Sequence, residues 1–459
     1  MIRLFHVYFA SRTVLLALSE VVLTALALLA ATFVWFGPDT DLALRYDYGP
    51  WRMLFAALVC VLCMYYYDLY DSAVLGNLRE ISVRLVQVLG TVCVVLSVIY
   101  YTYPVVQLDR GPFLIWIALV GVWLMLWRRL FVALNRSLHL GDRALLLGAG
   151  PLARPLAAEI EKRPEYGVQL LGYVEQEGTG SPVASLRRLG TLADLFHVVE
   201  REGIRRIILS MGDRRGRLPV AELLKLKTSG VMIQDAADVY EALTGRVPLD
   251  SLRLSWLLFS SGFRVSPWML LYKRTASIVL SLAALLVTLP LIVLVAIAIR
   301  LDSKGPVIFR QKRVGKGGKI FLLYKFRSMV ENADPNAPAQ KDDPRVTRVG
   351  RWIRRVRIDE LPQLYNILRG DMYFVGPRPF VPQAEEECVQ HIPIYDQRWS
   401  VKPGATGWAQ VKGGYCATLE DNIEKLSYDL FYIKNMSIGL DCLILFETVK
   451  ILLLGRGAR

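Results

Sequence analysis

At 459 residues, 54% of them hydrophobic, the chain is too long for one ordinary domain and too apolar for a typical soluble one. Six cysteines without metal-ligand spacing and only four histidines exclude a disulfide framework and a His-rich metal centre. The net charge of +14 suits nucleic acid, anionic lipid or a phosphate-bearing substrate, and composition does not choose among them.

The start, MIRLFHVYFASRTVLLALSE, puts basic residues before an apolar stretch, as a signal peptide would. The stretch runs on to Phe36 without a persuasive small-residue cleavage site, so it reads as a retained span. Four hydrophobic segments, at about 13–36, 51–70, 85–103 and 113–134, each approach the ~20 residues that a bilayer-crossing helix needs. They predict a membrane α-helical four-helix bundle over residues 1–140. Arg3, Arg12, Arg79, Arg84, Arg128, Arg129, Arg136 and Arg143 fall on one side and only Arg45 and Arg110 on the other, which places both ends of this unit in the cytoplasm. Cys60 and Cys63 form a C-x-x-C inside an apolar run, the setting of buried hydrophobes rather than of a redox pair.

From Arg143 short apolar runs alternate with helical ones, predicting a Rossmann-like α/β domain over 141–255. RALLLGAG leads into Gly148-x-Gly150-x-x-Ala153, a turn that lets backbone N–H groups approach a phosphate at a helix start. Glu175 stands where a ribose-binding acid is expected. Both a bound nucleotide and a structural or regulatory role fit this turn.

Residues 256–272, WLLFSSGFRVSPWMLLY, suit the membrane interface. Beyond them Thr275 to Ile299 carries no charge, yet Lys273 and Arg274 flank one end and Arg300, Lys304, Arg310, Lys312 and Arg313 the other. Both flanks obey the cytoplasmic preference, and Pro290 offers a bend whose freed carbonyl Thr288 can help satisfy. A re-entrant helix-break-helix at about 275–300 is the expected form, with a kinked transmembrane helix as the other.

A polar catalytic domain, 256–459 with its membrane segment, completes the order. Arg345, Arg348, Arg351 and Arg354 recur every three residues, joined by Arg355 and Arg357, and alone they describe a solvated or lipid-facing basic face. In RIDELPQLYNIL a helix is expected to start near Asp359–Pro362, where acids commonly serve as caps. Two acids facing an arginine array suit phosphoryl transfer better. A diphosphate needs basic residues and usually a divalent cation, and a carboxylate there can hold the metal or attack phosphorus.

KFRSM at 325–329, DELPQLYNILRGDM at 359–372, VGPRP at 375–379, KPGATGWAQV at 402–411 and EKLSYDLFYIKNMS at 424–437 resemble, in order, the bacterial sugar transferase family of monotopic phosphoglycosyl transferases. With the N-terminal spans and the α/β domain, the whole resembles the long, exopolysaccharide- or O-antigen-initiating form. The resemblance implies transfer of a sugar 1-phosphate from a UDP-sugar to undecaprenyl phosphate, with release of UMP, at the cytoplasmic side of the bacterial inner membrane. It implies Asp359 as a nucleophile forming a phosphosugar-enzyme intermediate, Glu360 as a catalytic residue and ligand of Mg²⁺, and Lys325, Arg354, Arg378 and Asp429 as substrate-binding residues. KPGATGWAQV becomes a wall of the site, with Trp408 available for stacking or packing. The partners implied are lipid and nucleotide-sugar rather than a nucleic acid polymer, and a homodimer is implied for the long form.

Three departures stand out. The family's KR-x-FD opening is Lys273-Arg274-Thr275-Ala276-Ser277 here, the aliphatic residue of PG-x-TG is Ala405, and the usual Asn-Gly-Arg is Lys412-Gly413-Gly414. A membrane-anchored nucleotide-sugar dehydratase would need a Tyr-x-x-x-Lys, which is lacking. A regulatory membrane protein would use the basic array only for lipid, and a transporter would need intramembrane charges, which these spans are read as lacking.

Overall fold

The computed structural model describes residues 2–4, 7–46, 49–71, 74, 77–137, 141–175, 186–212, 218–249, 262–263, 266–330, 343–392, 394–413 and 418–454. The expected domain ends at residues 140 and 255, the aromatic start of the 256–272 stretch and Gly414 lie outside the described residues. The chain forms two compact units, one made of Met1–Ile2 and Tyr8–Ala236, the other of Arg3–Val7 and Ala237–Arg459.

In the first unit the helices Ser11–Phe36, Gly49–Tyr66, Leu78–Thr102 and Arg110–Ser137 share a core that includes Leu28, Ala56, Met64, Val92 and Trp116. Their outer faces are also apolar, with Leu15, Phe33, Leu58, Val86 and Leu114 exposed where a water-facing bundle would carry charge. With Pro267–Asp302, the described residues contain five helices long and apolar enough to cross a membrane.

Two of the sequence expectations fail here. Arg128 is not a loop charge, and the spans are not free of charge. Arg128 and Glu20 are both fully buried, with Arg128 Nε 2.7 Å from Glu20 Oε1 and Nη1 2.7 Å from the Leu69 carbonyl. The Tyr70 hydroxyl donates to Glu20 Oε2 at 2.6 Å. An ion pair that neutralises itself escapes the cost of an isolated charge, and Glu20 escaped notice because it sits inside an otherwise apolar run.

The same unit holds a five-stranded parallel sheet, in the order Arg188–Thr191, Val168–Glu175, Asp142–Leu147, Arg206–Leu209, Met232–Asp235. In chain order this is 3-2-1-4-5, the arrangement of dinucleotide-binding sheets. The central strand reads as continuous hydrophobics, Ala144 to Leu147, because helices cover both faces of such sheets.

In the second unit Pro267–Asp302 is one continuous helix with Pro290 inside it, about 54 Å long at 1.5 Å per residue. Thr288 Oγ1 donates to the Ala284 carbonyl at 2.6 Å, a back-bond of the kind that bends helices, rather than to the Leu286 carbonyl that Pro290 leaves free. One stripe of the helix is buried against the rest of the unit: Lys273, Ser277 and Ser281 early, Val295 and Ile299 late. The opposite face exposes Leu282, Leu286, Val287, Leu289 and Leu294.

Lys273 and Arg274 are engaged rather than facing headgroups. Lys273 Nζ donates to the Val375 carbonyl at 3.0 Å and to Asp441 Oδ2 at 2.8 Å, and Arg274 donates to the Ile367 and Leu368 carbonyls at 2.6 and 2.7 Å. Ser277, where the family pattern has an acid, still accepts the Phe374 N–H at 3.0 Å. At the far end, Asp302 accepts the Val349 N–H at 3.0 Å in the first turn of the short Arg348–Arg355 helix, which Thr347 caps through the Gly350 N–H.

Candidate active site

The paired acids lie on a 3₁₀ turn, Ile358–Glu360, followed by the helix Gln363–Arg369. Pro362 is the residue before that helix, and no side chain caps it, so neither acid serves as a helix cap. Arg357 enters the turn at φ +58°, a left-handed conformation that costs a non-glycine residue of the order of 1–3 kcal/mol and is kept where its surroundings enforce it.

Asn366, fully buried on the following helix, accepts the Tyr324 N–H at 3.0 Å and donates to the Leu322 carbonyl at 2.7 Å. This ties the helix to the strand Ile320–Phe326, which carries Lys325. A second tie comes from the parallel pairing of Tyr373–Val375 with Gly404–Thr406, strands that hold VGPRP against KPGATG. Glycine is required there, since a Cβ on Gly376 would stand 2.8 Å from the Lys402 carbonyl.

These ties bring Glu360 within reach of three cations. Its Oε1 is 2.7 Å from Arg378 Nη2, 3.2 Å from Lys325 Nζ and 3.7 Å from Arg357 Nη1. Against the burial that would raise it, Arg378 and Lys325 hold the Glu360 carboxyl well below the ordinary range. Asp359 behaves in the opposite way. Burial and the adjacent Glu360 push its carboxyl up, with Lys325, Arg357 and Arg354 opposing, and its Oδ1 is buried without a hydrogen-bond partner.

The cations outnumber the acids. Burial lowers Lys325, with Arg378 adding to the effect, and brings Arg313 down to about 10, again with Arg378 contributing. Such a cluster is matched by a multiply charged anion such as a diphosphate. Mg²⁺ takes one or two carboxylates and completes its shell with water and substrate phosphates. The described residues hold no cluster of three metal-ligating side chains, but Asp359 Oδ1 beside Glu360 is the donor set such an ion uses, and the residues fit it.

The family model described as bacterial sugar transferase matches residues 268–455, and one described as a CoA-binding domain matches 66–227. The chain is 36% identical over 320 residues to the UDP-glucose:undecaprenyl-phosphate glucose-1-phosphate transferase of Klebsiella pneumoniae, covering 67% of each. The chain belongs to the bacterial sugar transferase family. To the UDP-N-acetylgalactosamine-undecaprenyl-phosphate N-acetylgalactosaminephosphotransferase of Aeromonas hydrophila it is 43% identical over 52% of this chain. To the undecaprenyl-phosphate glucose phosphotransferase of Komagataeibacter xylinus it is 35% identical over 70% of this chain. The matched stretches span only 56% and 60% of those two relatives' lengths.

Of the residues singled out in this sugar transferase, Glu360, Lys325 and Arg378 form one contact cluster, and Asp359, next to Glu360 in the chain, lies within electrostatic reach of Lys325 and Arg354. Asp429 goes elsewhere, fully buried with Oδ2 2.7 Å from Arg398 Nε. Most of the arginine array faces away: Arg348, Arg351 and Arg355 are exposed, and Arg345 pairs with Asp343 at 2.7 Å. Trp408 resolves to packing, with its N–H on the Gly245 carbonyl at 2.7 Å and its ring stacked on Phe431.

Sequence reasoning missed Arg313, Arg398 and Glu385. Arg313 was absorbed into the basic flank of the membrane helix. Arg398 and Glu385 belong to no local pattern, and only the fold joins them at 2.9 Å.

Proposed function

We propose that this sugar transferase moves a sugar 1-phosphate from a UDP-sugar to undecaprenyl phosphate in two displacements at Asp359, the first committed step of an exopolysaccharide, capsule or O-antigen. The observation that carries the reading is the buried, unpartnered Asp359 Oδ1 beside a glutamate already clamped by three cations.

In the first displacement an Asp359 carboxylate oxygen attacks the phosphorus that bears the sugar. The P–O bond to UMP breaks, and UMP leaves with the electron pair. In the second, an oxygen of the lipid phosphate attacks the same phosphorus and the Asp359 carboxylate is regenerated. Arg378, Lys325, Arg354 and Arg357 hold phosphate oxygens in line and neutralise charge that gathers on them. Glu360 keeps Arg378 and Lys325 converged. Glu360 would hold Mg²⁺, which would supply further neutralisation of the phosphate oxygens.

The helix Pro267–Asp302 is read as re-entrant, with the site at the inner leaflet of the bacterial inner membrane on the cytoplasmic side. In support, both its ends and the stripe between them pack on the same compact unit, while the outer face is apolar and exposed. A helix with its ends on opposite sides of a bilayer would not do this. The parallel sheet of the first unit is read as structural, despite the CoA-binding domain model that matches there, because its glycine turn has spent its donors. The Gly148 N–H goes to the Val174 carbonyl, the Gly150 N–H goes to that of Ser210, and the Ala149 N–H goes to the Glu175 carboxylate.

The test is to incubate the detergent-solubilised full chain with undecaprenyl phosphate, Mg²⁺ and a panel of UDP-sugars and to measure UMP. With donor alone, intact mass spectrometry should show one phosphosugar added to the wild-type chain and none to Asp359→Asn. Silence with every donor would remove the reading.

A further inference from the structure

We propose that Arg398 is a positioning residue for Arg378, and that Asp429 and Glu385 are the counter-charges of Arg398 rather than contacts of the substrate. The inference rests on the phosphate-binding role given to Arg378 above.

The segment Pro377-Arg378-Pro379 has a single backbone N–H, so it cannot be fixed by its own donors. It hangs by its carbonyls instead. The Pro377 carbonyl accepts the Gly404 N–H at 2.9 Å, and the Phe380 carbonyl accepts the Val314 N–H at 3.1 Å. Between them, Arg398 Nη2 donates to the Arg378 carbonyl at 2.5 Å and Arg313 Nη1 to the Pro379 carbonyl at 3.0 Å. A backbone held at four successive carbonyls leaves the Arg378 side chain little freedom, and it reaches Glu360 at 2.7 Å.

Arg398 is itself over-determined. Its Nε donates to Asp429 at 2.7 Å, and Nη1 donates to Glu385 at 2.9 Å and to the Tyr395 hydroxyl at 3.1 Å. Its guanidinium lies 4.3 Å from the centre of the Phe380 ring, and Trp399 Nε1 braces the other Glu385 oxygen at 3.0 Å. Arg398 and Asp429 are only 4% and 1% exposed; Asp429 Oδ1 has no hydrogen-bond partner, as Asp359 Oδ1 has none, but it is enclosed within the unit. Two carboxylates on one guanidinium exceed what neutralising it requires, and they serve to aim its planar fork at the Arg378 carbonyl. Lysine, a point charge, cannot serve these acceptors in one plane.

The test is a double-mutant cycle on UMP release by the full chain, using Arg398→Lys and Arg378→Ala. A misplaced phosphate ligand costs on the order of tenfold to a hundredfold. Arg398→Lys is therefore expected to lower kcat/KM for the UDP-sugar by that factor, with KM raised, and to change it less than about twofold once Arg378 is alanine. A lesion confined to folding would instead lower apparent kcat at unchanged KM. If Arg398→Lys does not yield folded protein, Asp429→Asn, which keeps the shape and an acceptor oxygen, takes its place in the cycle with the same expected pattern. Equal losses in both Arg378 backgrounds, unchanged KM, or no loss at all would overturn the proposal while leaving the reaction standing. A wild-type chain silent with every donor would remove both.

Discussion

The turn at Gly148–Ala153 and the turn at Ile358–Glu360 both lead into helices, and both carry residue types that bind phosphate, yet they use their polar groups in opposite ways. In the first, each backbone N–H from Gly148 to Gly150 already has a partner within the sheet domain, and an acid, Glu175, lies where an anion would come. In the second, a buried carboxylate oxygen has no partner, and the cations around it exceed the acids. A turn that has satisfied its own donors is a piece of architecture. One that retains an unmet acceptor among surplus cations keeps that imbalance for a ligand.

The contrast breaks most sharply at Asp359. Asp359→Asn is nearly isosteric and keeps an acceptor, so the fold should persist while UMP release falls by at least about a thousandfold, the loss expected when a covalent route closes. Circular dichroism and size-exclusion profiles serve as the control. Full retained activity would mean that the unmet oxygen at Asp359 does no chemistry.

Glu360→Gln is expected to lower kcat/KM by about ten- to a hundredfold and also to move a pH limb. The nucleophile must be ionised, and its carboxyl is raised by burial and by Glu360. Activity should therefore fall toward acid with a midpoint above the ordinary aspartate value of 3.8. Removing the Glu360 charge takes away one raising influence and frees Arg378 and Lys325 to act on Asp359. Its pKa drops, and the acid limb of kcat/KM should shift to lower pH. An upward shift would contradict the assignment of the two acids.

The long apolar helices and the alternating α/β pattern were legible because periodicity and hydrophobic length are local signals. So were Asp359, Glu360, Lys325 and Arg378, through recognisable motifs. What escaped depends on distant pairing. Glu20 looked like a lone polar residue in an apolar run until Arg128, 108 positions away, met it. The Arg398 cluster joins positions 378, 385, 398 and 429 across three helices and a loop. Asp429, placed at the substrate by motif, takes its partner from the fold. The glycine spacing at 148–150 was visible, but whether its N–H groups were free could be known only once the neighbouring strands were in place.

Gly150→Ala tests the closed turn by stability. A Cβ at Gly150 would overlap the Ser210 carbonyl and stand 2.8 Å from the Gly212 N. Backbone cannot swing aside as a side chain can, so the cost should be about 1–3 kcal/mol, read as a lowered midpoint in denaturant or heat. A neutral substitution would mean that the turn is open enough to admit a ligand.

The smallest expected effect is an absent one. Adding a nucleotide to the wild-type chain should leave its melting temperature unchanged, whereas a ligand at a hundred times its Kd would stabilise the folded state by about 2.7 kcal/mol. To bind at Gly148–Ala153, a diphosphate would have to displace three backbone hydrogen bonds, each worth roughly 0.5–1.5 kcal/mol, and lie against the Glu175 carboxylate. At Asp359 the cations outnumber the two acids and offset them, so UDP should raise the melting temperature of the same preparation and Arg378→Ala should abolish that rise. A nucleotide shift that survives Arg378→Ala and disappears with Gly150→Ala would reverse the two turns, making the glycine turn the binding site.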